Sequence, residues 1–184
     1  MLFVAACLVG CGEAALEKKL PADTAAFGAA HFGMTDTVFR KTLKGDTNIV
    51  IENSLFKLEP HFIPTDHRLY ALRIISPERT RFNYDDLLIT DMNTLVGCMV
   101  HLYGGPARYF NRPKTEDLRS NEIEWYCLWN FANKEIRIGI AQQAQKRDFY
   151  YNGDKYIAVC QIVNKPLKQV ANQSLIYLGT NPSL

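Results

Sequence analysis

The chain has 184 residues, about one domain's length, with 47% apolar and 22% charged residues, the mixture of a folded protein rather than a disordered one. Lys and Arg number 21 against 19 Asp and Glu, a formal charge of +2, far short of the basic excess of a dedicated nucleic-acid binder and too small to steer anionic partners strongly. No apolar run reaches the roughly 20 residues that a membrane-spanning helix needs.

The N-terminus carries the most specific signal. Leu2 to Val9 is an apolar stretch of signal-peptide core length, and it closes on Leu8-Val9-Gly10-Cys11. Two aliphatic residues, a small residue and a cysteine resemble the lipobox of bacterial lipoproteins. The resemblance implies removal of residues 1–10 as a signal-peptide remnant, lipid attachment at Cys11, and a location in the cell envelope. An outer-membrane anchor, on the periplasmic face or the surface, is the expectation. Several acyl chains, at about 0.8 kcal/mol per buried methylene, hold a protein on a bilayer without a spanning helix. The chain departs from the family pattern in that its first basic residue is Lys18. The alternative for this stretch is an apolar helix or strand tucked against the core. Residues 11–31, rich in Ala, Gly and charge and interrupted by Pro21, read as a tether, or as a loosely packed helix over Glu13–Leu20. Residues 32–184 then form one domain.

In chain order, Thr35 and Asp36 open a helix expected to run to about Lys44 and stop at Gly45, with Met34 stapled onto Phe39. Gly33-Met34-Thr35 with Val38 is similar to a helix entry in small Gram-negative outer-membrane lipoproteins, including a component of the barrel-assembly machinery. That resemblance implies a two-layer α+β domain. Ile49–Leu58 and Leu69–Ile75 predict two antiparallel strands separated by the proline-containing EPHFIPTDHR. Asn83-Tyr84-Asp85-Asp86 is a capping cluster ahead of a second helix, whose stripe is Leu88, Met92, Leu95, Met99 and Leu102. Gly104-Gly105-Pro106 ends it.

The last third is rich in strands. Ile123, Trp125, Cys127, Trp129 and Phe131 alternate with polar neighbours, and Ile136, Ile138 and Ile140 share one face of the next strand. Asn152-Gly153 predicts a tight hairpin leading into a strand over Tyr156–Val163, and NKPLKQVANQ turns into a short helix. The order predicts an α+β fold: an antiparallel sheet with helices packed on one face, a two-layer sandwich. Cys98, Cys127 and Cys160 sit in apolar patterns with no metal-ligand spacing, so buried, unpaired thiols are expected.

Catalytic motifs are missing from the sequence. There is no nucleophile elbow, phosphate-binding loop or dinucleotide fingerprint, and no cofactor is expected. Gly104-Gly105 follows a helix, whereas a phosphate cradle precedes one. Glu59, His61, Asp66 and His67 fall within nine residues but are interrupted by prolines, and no metal is assigned to them. Asp85-Asp86 is explained by capping, and Arg79, Arg81 and residues 112–114 read as scattered solvated charge. Two functional readings remain. One is a lipid-anchored, non-catalytic envelope domain that binds a protein or polymer. The other is an envelope hydrolase assembled from distant residues, such as His101 with Glu122 or Asp148. A cytosolic domain without a signal is the third possibility.

Overall fold

One antiparallel sheet organises the chain, because its strands alternate apolar and polar side chains and so have one face to bury. A computed structural model describes residues 24–143 and 154–177. A small hairpin, β1 (Ala25–Phe27) and β2 (Ala30–His31), precedes helix α1 (Asp36–Thr42). Strands β3 (Asn48–Ile51), β4 (Ser54–Phe62), β5 (Leu69–Ile75) and the short β6 (Arg79–Thr80) lead into helix α2 (Ile89–Tyr103). Then come β7 (Arg108–Tyr109), β8 (Ile123–Asn130), β9 (Lys134–Gln143), β10 (Lys155–Asn164) and helix α3 (Lys165–Tyr177). The strand order is β3-β4-β5-β10-β9-β8-β7, with β6 continuing the lane of β5 beside β10. The expected α+β class with an antiparallel sheet is what the structure has.

The core lies between one sheet face and two helices. Leu72 and Ile74 of β5, Ile136, Ile138 and Ile140 of β9, and Cys160 and Ile162 of β10 are buried there. Against them pack Phe39 of α1 and the α2 stripe, in which Leu88, Met92, Leu95 and Met99 are buried and Leu102 is half-buried. Each such side chain contributes about 1.5–3 kcal/mol on burial. Helix α3 sits at the end of the sheet. Its Ala171 meets Ala71 and Val163, neighbours in register whose side chains point away from Leu72 and Ile162, so α3 reaches the reverse face.

Several local expectations are corrected. Residues 25–31, assigned to the tether, belong to the domain: Ala26 and Ala30 are fully buried in the core. Ile49–Leu58 is a hairpin rather than one strand, turning at Glu52, whose φ is +55°. Strand β4 then continues through Pro60, expected in a connection. Leu58 N donates to Thr47 O, so the Pro60 nitrogen, two residues on, points the same way, past the end of β3, where no ladder bond is lost.

Neither expected N-cap side chain makes its bond. Thr35 caps α1 through its backbone only, and Asp36 instead pairs with Arg40 at 2.8 Å. Ahead of α2 the chain winds through a 3₁₀ turn (Arg81–Asn83) and a π turn (Tyr84–Leu88), and Asn83 caps nothing. Buried Tyr84 fixes this entry, donating to Pro113 O at 2.9 Å with its ring edge-on to Tyr156. Helix α1 ends at Thr42, short of the expected Lys44: Lys44 itself turns left-handed at φ +52°, and Gly45, at φ +76°, donates to Arg40 O to close the end.

In β8 the alternation breaks. Trp125 pairs with Gly139 but Cys127 with Ile138, so Tyr126 is an inserted bulge residue. Cys127 and Trp129 face the core, while Ile123 and Trp125, expected beside them, register with Ala141 and Gly139 on the reverse face. Only glycine fits opposite the bulge, since a Cβ on Gly139 would stand 2.2 Å from Glu124 O. The register of β9 with β10 runs from Lys134–Asn164 to Gln143–Lys155; the Asn152-Gly153 turn lies outside the described residues.

Candidate functional site

The reverse face of the sheet is the candidate site, and cross-strand register builds it. Glu59, Arg73, Gln161, Arg137, Leu128 and Arg108 are successive partners across β4, β5, β10, β9, β8 and β7. They form one straight row, with Arg73, Arg137 and Arg108 two strand spacings apart, about 9.6 Å each. Among the described residues, α3 is the one helix packed on this face, at the end carrying Ala71 and Val163. The far end carries an apolar strip of Ile75, Ile123, Ala141, Ile157 and Val159. The arginine row lies between.

The row carries incompletely satisfied nitrogens. Among the described residues, the buried side-chain N or O atoms without a hydrogen-bond partner are His61 Nε2, Arg73 Nε and Arg137 Nε. All three residues are on this face, His61 pairing with Ala71 in the adjacent row. Arg137 Nε lies 2.8 Å from Glu135 Oε1, a charge pair that is not aligned as a hydrogen bond. Burial, then the Arg73 cation, hold the His61 imidazole below its usual pKa against the opposing pull of Glu59.

A groove of about 850 Å³ opens at the β7 end, lined by Arg108, Tyr109, Phe110, Trp125, Leu128 and Arg137 among others. Tyr109 is 55% exposed, a large aromatic surface for a two-residue edge strand. The guanidinium of Arg108 lies 4.7 Å from the centre of the Phe110 ring, and that of Arg137 lies 5.8 Å from the Trp125 ring. A smaller hollow of about 210 Å³ between α1 and β4 is lined by Asp36 and Arg40, already paired with each other.

The candidates read from sequence are dispersed. His61 is on β4, Asp66 receives the Arg68 guanidinium at 2.7 Å, and His67 occupies a turn at φ +55°. Among the described residues no three His, Cys, Asp or Glu side chains converge. His101 is exposed on α2 and Glu122 is exposed ahead of β8, with no hydrogen bond or ion pair between them; Asp148 lies outside the described residues, as does Cys11. Asp85 is exposed near Arg112 at 3.9 Å. Arg79, read as solvated, is instead half-buried and holds the buried Asp91 carboxylate at 3.0 Å.

Among the described residues Cys98, Cys127 and Cys160 form no disulfide; Cys127 and Cys160 are buried as expected, and Cys98 is half-buried. Burial pushes the Cys127 thiol up to about 12 and the Cys160 thiol well above its ordinary value, so both stay protonated and unreactive.

Sequence reading missed the arginine row, since register across five ladders is not written in any one strand. The available signal was Arg73, the one charge in LYALRII, and Arg137, a cation set between Ile136 and Ile138 in EIRIGI. Compared with known proteins, the chain matches no family model, no curated protein and no solved structure.

Proposed function

We propose that the protein is a lipid-anchored, non-catalytic binding domain of the bacterial cell envelope, tethered through Cys11 and engaging its partner with the reverse face of its sheet. The observation that carries the binding half of this reading is the row Arg73–Gln161–Arg137–Leu128–Arg108, opening into the aromatic groove of β7 and β8. Aromatic and arginine side chains placed together are what interaction surfaces use for anchoring. The hydrolase pair His101 and Glu122 stands on separate exposed segments, and Asp148 lies outside the described residues.

The anchor half rests on the lipobox-like Leu8-Val9-Gly10-Cys11. Metabolic labelling with a fatty acid tests it in a Gram-negative host, using a chain given a basic leader ahead of Leu2. Wild type incorporates label and Cys11→Ala does not; equal labelling of the two overturns the anchor.

A further inference from the structure

The reverse face is net positive where it is open. Lys57, Arg73, Arg137 and Arg108 share it with Glu59 and Glu135, and Glu124 lines the groove beside them, four cations to three carboxylates; Lys155 further along is paired with Glu78 at 2.9 Å. We propose that this face binds an extended acidic peptide whose carboxylates are taken by Arg73, Arg137 and Arg108, an assignment that rests on the binding-domain reading above.

Three observations select this ligand. The row from Arg73 to Arg108 spans four strand spacings, about 19 Å, the length of roughly six extended residues. Guanidinium groups match carboxylates as bidentate donors; the buried Arg73 Nε makes no hydrogen bond, and Arg137, paired with Glu135 but not aligned as a hydrogen bond to it, gains one from a peptide carboxylate. Two of the groove's rings that would stack on sugars are engaged, Phe110 by Arg108 and Trp125 by Arg137, which disfavours a glycan. Leu128, between Arg137 and Arg108 in the row, offers apolar contact for a side chain of the peptide.

The test is fluorescence anisotropy of a labelled, end-capped hexapeptide of alternating Glu and Val, titrated with the full chain. The Gln-Val hexapeptide is the uncharged comparison, and unlabelled polygalacturonate and polyphosphate are competitors. Saturable binding of the Glu-Val peptide is expected, with little from Gln-Val. Arg137→Gln and Arg73→Gln each weaken it tenfold or more, whereas Arg119→Gln, on an exposed loop, leaves it unchanged. Circular dichroism of each variant separates lost binding from lost fold, and Arg137→Lys, which keeps charge but not the fork, gives an intermediate loss. Absence of saturable binding, or equal loss in Arg119→Gln, overturns the proposal. So does displacement of the peptide by either competitor at lower concentration than by unlabelled peptide. Binding of a competitor alone, through the same arginines, overturns the peptide assignment and leaves the binding-domain reading standing.

Discussion

At the scale of single residues, three positions show how tightly chemistry constrains this chain. Gly139 faces the Glu124 carbonyl at the β8 bulge with no room for a Cβ. Gly139→Ala forces backbone apart, and a loss of about 3 kcal/mol, the upper range for overpacking, is expected in denaturant unfolding. Asp91 is buried with Arg79 as its cation. Arg79→Ala strands that carboxylate and costs about 3–5 kcal/mol, whereas Arg79→Ala combined with Asp91→Ala restores much of the loss, since no uncompensated charge then remains. A double-mutant cycle of melting curves measures this.

His61 titrates in the opposite sense to a paired histidine. Its folded pKa lies below the unfolded 6.5, so the unfolded chain binds more protons as pH falls through 6.5. Its contribution to stability is therefore fully present above that value. It is lost progressively as pH drops from about 6.5 towards the lowered folded pKa. The melting temperature of wild type falls between pH 7 and pH 5 by more than that of His61→Gln, which removes the proton uptake; parallel curves for the two proteins would contradict this.

At the scale of elements, what was legible in the sequence was periodicity. The α2 stripe and the isoleucines of β9 point where 3.6- and 2-residue repeats put them, because each element buries one uninterrupted face. Interruptions were not legible. The β3–β4 turn uses Glu52 at positive φ without a glycine to announce it, and Tyr126 inserts one residue into a pattern that still reads as alternating. Pro60 misled in the other direction, since its position past the end of β3 depends on where a neighbouring strand stops.

The same ladders hold two of the three thiols apart. Cys127 and Cys160 both pair with Ile138, one from each side, so β9 separates them by two strand spacings, about 9.6 Å, beyond the roughly 7 Å that a disulfide spans. Thiol counting in denaturant, on chain with Cys7 and Cys11 replaced and exported through an oxidising compartment, therefore finds three reactive groups. A count of one would place Cys98 in a bridge with a strand. Helix α3 starts where Asn164 Oδ1 accepts from Leu167 N at 3.0 Å, an N-cap ahead of Pro166 in the first turn. Asn164→Ala loosens α3 at a cost of about 1 kcal/mol, read as a lower melting temperature.

At the scale of the molecule, the described chain enters beside Lys134, whose ammonium lies 3.4 Å from Ala25 O and from the Tyr103 hydroxyl. Strand β9 starts there and runs ten residues, about 30 Å, to Gln143. The proposed tether would join the domain at this end of the sheet, and the arginine row crosses β9 at Arg137, early along its length. Helices α1 and α2 close one face of the sheet into the core, and α3 covers one end of the other. What remains, between α3 and the apolar strip, is the row of arginines and the groove beside it. The most direct test of its role is a nitrogen-edited NMR titration of the full chain with the Glu-Val hexapeptide, reading which residues shift. The largest changes are expected at Arg73, Gln161, Arg137 and Leu128. Changes confined to the exposed surfaces of α1 and α2, or none at saturating peptide, would contradict the account.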